Sequence, residues 1–536
     1  MIHLIPTEAK RFRTFGWVQD PSDFRSLCDV VAIFDETSLK HQELAGQVIP
    51  ALVEERDGRQ RLLDALNQRP LRISYTDLVG TSFTPRSAAR CNGIVQAAVR
   101  GQVRPFIGDW PADNFVRWAH ALGFLRYGYQ GDAFELTETG KALAQARTQG
   151  EELNSQEKEL LTSAVLAYPP AVRILSLLGE GEGAHLTKFE LGKQLGFVGE
   201  DGFTSLPQTV LVRSLASSKD AKEKNKMKTD WDGSSDKYAR MIAKWLEKLG
   251  LVKQEAKPVT VTLAGRKYTE SIGQSYVITG LGITALNRTL GKSRHKRIPK
   301  NVSFEMMATK GDDREYLRTR RTCVLKAVSE GKGRVSYTEI QKYLEALGLQ
   351  EDEATIRDDV QGLIHIGLNI AAGERECVWK DEINDLILPV PKKLAKSSQS
   401  ETKEKLREKL RNLPHEYLSL VDLAYDSKQN RLFEMKVIEL LTEECGFQGL
   451  HLGGSRRPDG VLYTAGLTDN YGIILDTKAY SSGYSLPIAQ ADEMERYVRE
   501  NQTRDELVNP NQWWENFENG LGTFYFLFVA GHFNGN

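Results

Sequence analysis

The chain has 536 residues, which is too long for one hydrophobic core, so about three or four domains are expected. The composition is 40% hydrophobic and 27% charged, with a net charge of −1, which excludes a uniformly basic polyanion binder. No apolar run is long enough to span a bilayer, and the N-terminus lacks the apolar core of a signal peptide. We therefore expect a cytoplasmic protein without a membrane partner.

The cysteines give a second exclusion. They are far apart, none belongs to a CxxC pair, and none has a histidine beside it: Cys28, Cys91, Cys323, Cys377 and Cys445. This spacing argues against a disulfide framework and against a zinc site, and it fits a reducing cytoplasm.

Three consecutive segments share one pattern, in which an apolar helix, a turn and a second helix precede a short β-like stretch. In the first segment, residues 1–150, Asp113–Phe124 is an amphipathic helix and Phe134–Thr137 can form a strand. The pattern is typical of winged helices, whose second helix enters the major groove of DNA. Ordinary helical domains that contact protein share it, so both interpretations stay open at this point.

The second segment, residues 151–285, carries the pattern most clearly. Thr187 can cap its first helix, and Asp236–Leu249 is a second helix that ends before a glycine. Lys253–Thr262 can then form the wing. Between the two helices, Lys219–Lys228 holds five lysines without apolar periodicity, which predicts a basic loop. Such a loop is either a DNA contact or a solvated surface.

The third segment, residues 286–385, repeats the pattern with a different charge. Its elements are two helices, Thr338–Leu347 and Glu353–Ile364, and a hairpin over Leu368–Trp379. The second helix carries Asp358 and Asp359 where a helix that faces phosphate would carry cations. We therefore predict that this subdomain mainly contacts protein.

A boundary follows the third segment. Residues 386–400 mix proline, lysine and serine without an apolar face, which predicts an exposed linker. From 401 to 536 the pattern becomes α/β. The predicted fold is thus multidomain: a mainly α N-terminal part with three winged-helix-like subdomains, and a C-terminal α/β domain.

The C-terminal domain contains the residues that can carry out chemistry. Asp459 begins a predicted strand, Gly460–Thr464, while Asp476 and Lys478 follow the aliphatic run Ile473–Leu475. Side chains two apart on a strand point to the same face, so two carboxylates and an ammonium converge at one edge of a sheet.

This trio suits phosphodiester hydrolysis. Two close carboxylates repel each other unless a cation lies between them, and Mg²⁺ prefers such oxygen ligands. The ion polarises a phosphoryl group and lowers the pKa of a bound water, while Lys478 can orient that water or stabilise developing charge. Because PD followed by DxK is a short motif, a surface ion pair is the alternative.

A helix is predicted over Pro487–Asn501, with Asp492 and Arg496 four residues apart on one face and Glu495 and Arg499 on the neighbouring one. Both pairs can be salt bridges within the helix. Alternatively, Asp492 of one copy meets Arg496 of a second copy across a two-fold axis, which would make this a dimer helix.

With these motifs identified, the sequence resembles the FokI-type family of type IIS restriction endonucleases along nearly its whole length. The matching runs are Arg13–Gln19, Arg117–Phe124, Gly233–Met241, Pro414–Tyr417, His451–Ser455, Asp476–Tyr480 and Gln490–Met494. The resemblance implies winged-helix-like recognition subdomains that bind a short asymmetric DNA site. It implies a Mg²⁺-dependent PD-(D/E)xK nuclease that cuts both strands at a fixed distance outside that site. A transient homodimer and a partner methyltransferase that protects host DNA are implied as well.

The resemblance also assigns roles to residues. The matching functional positions are Asp459, Asp476 and Thr477 for the metal, Asp459, Asp476 and Lys478 for catalysis, and Asp492 and Arg496 for the dimer helix. The third subdomain is expected to hold the nuclease domain in reserve until DNA is bound, in agreement with its acidic helix.

The positions that match the family's base contacts are Gln19, Asp20, Arg86, Trp110, Thr229, Asp232, Lys237 and Arg240. Asp20 and Thr229 stand where the family has asparagines, and Asp232 stands where it has a glutamate. Asp232 keeps an acceptor for a cytosine amino group, whereas Asp20 loses the amide donor that pairs with adenine. The FokI-like site GGATG is the first expectation.

The resemblance further implies that the family continues beyond the position of Asn536 with a helix and a strand that include some of the dimer surface. The predicted strand Phe524–Val529 would then lose cover. A chain truncated in this way would be a sequence-specific DNA-binding protein with an incompetent nuclease, which is the alternative function. A plain winged-helix regulator would leave the carboxylates and lysine unexplained.

Overall fold

The computed structural model describes residues 2–6, 15–80, 90–129, 131–148, 150–180, 184–218, 220–232, 236–263, 265–331, 333–390, 396–464 and 470–535. The predicted fold class is confirmed. Helices with short three-stranded sheets make up the N-terminal part, and one four-stranded sheet with helices makes up the C-terminal domain. All five cysteines are free, as their spacing predicts.

The first segment contains β1 (Ile2–Pro6), α1 (Phe24–Ala32), α2 (Leu39–Glu43), α3 (Ile49–Leu52), α4 (Arg56–Asn67), β2 (Ile73–Ser74), α5 (Tyr75–Val79), α6 (Ile94–Ala98), α7 (Asp109–Ala121), β3 (Leu125–Gly128), β4 (Ala133–Leu136) and α8 (Glu138–Ala146). The predicted helix and strand are confirmed as α7 and β4. Helix α7 begins earlier than expected and includes Pro111 in its first turn. Proline is tolerated there because the N–H groups of a first turn have no partner within the helix, so the N–H group that proline lacks is not missed.

The second segment contains α9 (Ser155–Ala167), α10 (Pro169–Gly179), β5 (Leu186–Thr187), α11 (Lys188–Lys193), α12 (Gln208–Ser217), α13 (Ala221–Asp232), α14 (Lys237–Lys248), β6 (Val252–Gln254), β7 (Lys257–Leu263), β8 (Arg266–Ile272), β9 (Ser275–Ile278) and α15 (Gly280–Thr289). Thr187 caps α11 as predicted: its hydroxyl accepts from the Glu190 amide at 3.2 Å, and the Glu190 carboxylate accepts from the Thr187 amide at 2.7 Å. The second predicted helix is α14.

The prediction of a basic loop over Lys219–Lys228 is wrong, because most of it lies in helix α13. Met227 is the only buried apolar residue among the described side chains of this helix, so no apolar stripe marks it in the sequence. Charged residues with long side chains favour helix, and polar contacts hold this one. Asp220 accepts from the Lys222 amide at 2.9 Å, and Lys228 pairs with Glu270 at 2.5 Å.

The third segment contains α16 (Arg314–Glu330), β10 (Arg334–Ser336), α17 (Tyr337–Ala346), α18 (Glu353–His365), β11 (Ile370–Ala372), β12 (Glu376–Trp379) and β13 (Leu386–Val390). The two predicted helices and the hairpin are confirmed. Residues 386–390 are not part of an exposed linker, since β13 pairs in parallel with β1 and buries Leu386 and Leu388. Within the described residues, no single helix is long and apolar enough to cross a membrane; only α9 and α10 together pass that test, with an 82° bend between them.

The C-terminal domain contains α19 (Ser398–Lys409), α20 (Leu420–Leu423), α21 (Asn430–Glu439), β14 (Gln448–His451), β15 (Gly460–Tyr463), β16 (Tyr471–Lys478), α22 (Ile488–Thr503) and β17 (Thr523–Ala530). The sheet order is β14-β15-β16-β17, with only β16 and β17 parallel. Helix α21 covers one face of the sheet, and Tyr497 of α22 with Trp513 and Trp514 covers the other. The predicted C-terminal strand is β17, whose apolar side chains are half-exposed at the edge.

Candidate active site and DNA-binding surface

The register between β15 and β16 brings the two predicted catalytic carboxylates together. Gly460 pairs with Leu475, so the next position in this antiparallel register sets Asp459 opposite Asp476. Lys478 lies two residues beyond Asp476 and therefore on the same face of the sheet. The three residues thus meet at one end of the two central strands.

Hydrogen bonds fix each member of this trio. The Lys478 ammonium lies 2.8 Å from both carboxylate oxygens of Asp476. Asp459 Oδ2 accepts from the backbone N–H of Thr477 at 2.7 Å and from its hydroxyl at 3.0 Å. The Thr477 side chain therefore orients Asp459. The backbone carbonyl oxygen of Thr477 is then the atom of this residue that could bind a metal.

The electrostatics of the site favour an added positive charge. Burial, followed by the neighbouring Glu434, raises the pKa of Asp459. Burial and the charge of Asp459 raise the pKa of Asp476 to about 7. Although burial opposes it, the hydrogen bond to Asp476 raises the pKa of Lys478. Two carboxylates that resist joint ionisation are stabilised by a cation between them.

The donor set fits a divalent metal ion. Carboxylate oxygens are hard ligands, and the register sets the carboxylates of Asp459 and Asp476 side by side. No cluster of three or more His, Cys, Asp or Glu side chains arranged for a metal occurs in the described parts of the chain. Asp459 and Asp476 would therefore hold the ion together with non-carboxylate oxygens. A bound divalent ion supplies Lewis-acid polarisation of the phosphoryl group and acidifies a water ligand.

The loop before Asp459 is shaped by two glycines. Gly453 and Gly454 have φ values of +57° and +90°, and a Cβ at Gly453 would lie 2.8 Å from the His451 ring. The turn lets the Leu452 amide donate to the Asp459 carbonyl at 2.8 Å, which closes the loop. The consecutive glycines of the sequence are therefore required by the backbone that presents Asp459.

Sequence reasoning missed several polar neighbours of the trio. Gln490, on α22, donates to Asp476 Oδ2 at 3.4 Å and to Glu493 at 2.9 Å. On the other face of the sheet, His451 Nε2 lies 2.9 Å from Glu434. Gln490 belongs to a run that carries the family resemblance, which was an available signal. His451 also belongs to such a run, whereas Glu434 does not, and their pairing has no local signal because a helix and a strand bring the two residues together.

Three of the predicted DNA contacts, Gln19, Lys237 and Arg240, lie near one another around the start of α14. Gln19 donates to the Tyr238 hydroxyl at 3.0 Å, which joins the first segment to the start of α14. Burial lowers the pKa of Lys237, and the neighbouring cations Lys310 and Arg240 lower it further. A group of cations that repel each other on one surface is a natural contact for phosphate.

The other predicted base contacts are spread around this surface. Asp20 is exposed, and Trp110 is 49% exposed at the start of α7. Thr229 is exposed on α13, and Asp232 is the last residue of that helix. Arg86 lies outside the described residues. The predicted contacts therefore involve both the first and the second segment.

The predicted dimer helix is α22, and Asp492 and Arg496 are both exposed on it. Of the two interpretations, a salt bridge between Asp492 and Arg496 within one chain is not formed among the described residues; Arg496 lies 2.7 Å from Glu493. The neighbouring pair of Arg499 and Glu495 does form, at 2.8 Å.

Four family models match the chain. They are described as FokI recognition domain subdomain 1 (residues 13–146), FokI recognition domain subdomain 2 (157–294), FokI D3 domain (307–375) and FokI cleavage domain (396–536). The cleavage-domain match contains the trio, so a DNA-binding protein without nuclease chemistry is not favoured.

Two relatives and two solved structures give the same result. The chain is 46% identical to "Type II restriction enzyme FokI" of Planomicrobium okeanokoites, over 98% of this chain and 90% of the relative. It is 35% identical to "Type II restriction enzyme StsI" of Streptococcus sanguinis, over 97% of this chain and 87% of the relative. The structures of FokI and of FokI bound to DNA superpose with TM-scores of 0.90 and 0.91 at 46% identity, and each match covers 98% of this chain and 91% of the other.

The predicted C-terminal truncation is not borne out by these alignments, which cover nine-tenths of the relative's length. The recognition subdomains precede the cleavage domain along the chain, and the cleavage domain contains Asp459, Asp476 and Lys478. The protein therefore belongs to the FokI family of type IIS restriction endonucleases.

Proposed function

We propose that this endonuclease hydrolyses both strands of double-stranded DNA at a fixed distance outside a short asymmetric site, with Mg²⁺ as its cofactor. Asp459 and Asp476 would hold the ion, with Thr477 as a further ligand through its carbonyl. Lys478 would orient the attacking water or stabilise charge on the phosphoryl group. Two copies, each with one such centre, would cut the two strands together, with α22 joining the nuclease domains of a transient homodimer through Asp492 and Arg496.

The observation that carries this proposal is the register of β15 and β16. It sets two partly buried carboxylates side by side, with an ammonium on the same face. Mg²⁺ suits the site better than a softer metal, because the donors are oxygens.

Recognition would use the surface formed by Gln19, Lys237 and Arg240, with Trp110, Thr229 and Asp232 around it. A GGATG-like site is proposed from the family resemblance, although Asp20 cannot donate to adenine as the asparagine of the family can. A methyltransferase of matching specificity would protect host DNA. The DNA-bound relative supports binding to double-stranded DNA.

Plasmid DNA incubated with the full chain and Mg²⁺ tests the proposal, with Asp476→Ala as the control. We expect linear products from the wild type and none from the variant, since loss of one carboxylate removes the cation site. Cleavage that persists in Asp476→Ala would overturn the assigned centre. Sequencing the product ends then gives the recognition site and the cleavage distance. Asp20→Asn should shift the preference at one base pair if Asp20 reads DNA.

A further inference from the structure

The loop after Lys478 returns a tyrosine to the catalytic face of the sheet. Tyr484 is 5% exposed, and its hydroxyl is fully buried without a hydrogen-bond partner in the parts of the chain that the structure describes. Nearly all buried polar groups in proteins are hydrogen-bonded, because an unpaired one loses its hydration without compensation. The hydroxyl therefore has a hydrogen bond available for a group that binds beside it.

The backbone fixes Tyr484 from both sides. Its amide donates to the His532 carbonyl at 2.8 Å, and its carbonyl accepts from the Asn534 amide at 2.9 Å. The Tyr480 ring stacks on it with a centroid distance of 5.6 Å. These contacts fix the backbone at Tyr484 and one side of its ring.

The strand register shows which face of the sheet the ring occupies. The Tyr484 ring packs on Phe528, with centroids 6.1 Å apart. Phe528 is the partner of Asp476 across β16 and β17, and registered residues of neighbouring strands share a face. Tyr484 thus lies on the face of Asp476 and Lys478, and these are the two charges that act most strongly on its hydroxyl.

The hydroxyl is a proton donor. Burial raises the pKa of Tyr484, so its proton stays in place at neutral pH. Within the site the carboxylate of Asp476 is already bound by Lys478 through both oxygens. An arriving phosphate brings further anionic oxygens, and a hydrogen bond from a neutral hydroxyl to such an oxygen is short and strong.

We propose that Tyr484 is an additional catalytic residue, whose hydroxyl donates a hydrogen bond to a non-bridging oxygen of the scissile phosphate. This inference rests on the proposed function, because it takes the trio to be the cleavage centre. The donor is preorganised and enclosed, which is the arrangement that stabilises charge developing on an oxygen in the transition state.

Tyr484→Phe tests the role, because it removes the hydroxyl and keeps the ring packing. Tyr480→Phe is the matched control: it is the same change on the stacked neighbour, which is 49% exposed. Single-turnover cleavage of plasmid DNA is measured for both variants in Mg²⁺. Affinity for the same DNA in Ca²⁺ and the melting temperature are measured in parallel.

For Tyr484→Phe we expect the cleavage rate to fall by about 10- to 100-fold. We expect DNA affinity to be unchanged and the melting temperature to be equal or higher, since an unpaired buried hydroxyl is removed. Tyr480→Phe should cleave at the wild-type rate. A wild-type rate in Tyr484→Phe, or an equal loss in Tyr480→Phe, would overturn the inference. A wild type that does not cleave, or an active Asp476→Ala, would instead overturn the proposed function.

Discussion

The second and third segments both contact the C-terminal domain, but with different chemistry. Helix α12 of the second segment contributes Val210, Leu211 and Leu215 to the same apolar cluster as α21 and the sheet. Ser214 on that helix donates to the His451 carbonyl at 2.9 Å. Around this apolar centre lie four ion pairs: Arg457 with Glu223, Arg431 with Asp230, Arg213 with Glu443 and Lys193 with Glu416.

The third segment contacts the C-terminal domain mainly through charged side chains: Arg320 lies 3.6 Å from Glu404, and Lys396 lies 2.8 Å from Glu351 and over the ring of Tyr316. On α18, Asp358 lies 2.5 Å from Arg407 and 3.6 Å from His415, whereas its neighbour Asp359 is buried against Arg320 and Arg321 of its own segment. A cavity of about 300 Å³ lined by charged side chains lies between the second segment, the third segment and the C-terminal domain.

This difference changes the expectation that the third subdomain is the one that holds the nuclease domain. Its acidic helix does contact the C-terminal domain, but the apolar contact is made by the second segment. Apolar burial contributes more than exposed or half-buried ion pairs do. Helix α13, which carries Thr229 and Asp232, also carries Glu223 and Asp230, so one helix touches both the predicted DNA surface and the nuclease domain.

The largest effect on docking is expected at α12. Leu211→Ala removes a buried side chain near Ser214 and should destabilise its surroundings by about 2 to 5 kcal/mol. Amide hydrogen exchange should accelerate in β14 and α21, while α14, in the core of the second segment, keeps its protection. Loss of protection in α14 as well would mean that the fold of the segment, not the docking, had been damaged.

A smaller effect is expected for Glu223→Gln. Although burial opposes it, the Arg457 guanidinium lowers the pKa of Glu223, so the carboxylate is charged at neutral pH and stabilises the contact. That contribution is present above the usual glutamate pKa and is lost as the pH falls through the lowered value. Exchange in the loop of residues 453–458 should rise several-fold. Asp230→Asn, at the more exposed pair with Arg431, is the control and should have less effect.

Asp358→Asn should have a smaller effect still, since pairs of this kind contribute about 1 kcal/mol or less. We expect a slight increase in exchange at the start of the C-terminal domain around Arg407. Glu353→Gln changes the same helix but breaks only a pair with Arg357 inside it, so it should leave that exchange unaltered. An effect of Asp358→Asn larger than that of Leu211→Ala would reverse the comparison.

Salt gives the mildest test. Raising the ionic strength to about 1 M shortens the screening length to about 3 Å and weakens exposed pairs first. The contact of the third segment should loosen while protection in β14 and α12 stays nearly constant. Equal loosening at both contacts would show that the apolar cluster does not dominate.

Local sequence signals determined much of the fold. Capping residues and apolar periodicity predict α11, α14, α17 and α18, because a helix end and a buried stripe depend on residues within a few turns. The trio of Asp459, Asp476 and Lys478 was also predictable, since two adjacent strands with a short connection bring their ends together. The family resemblance gave the class of enzyme, because long matching runs preserve the order of its domains.

Tertiary structure alone decided the rest. Helix α13 has no apolar stripe: Met227 is its one buried apolar residue among the described side chains, and its ion pairs with Arg457 and Arg431 join residues distant in the chain. Strand β13 needs β1, from the other end of the N-terminal part, as its partner. The Tyr484 hydroxyl, the pair of Glu434 and His451, and the apolar surface of α12 depend on packing between elements. Contacts of this kind are set by the register and packing of separate elements, and no local pattern of residue types records them.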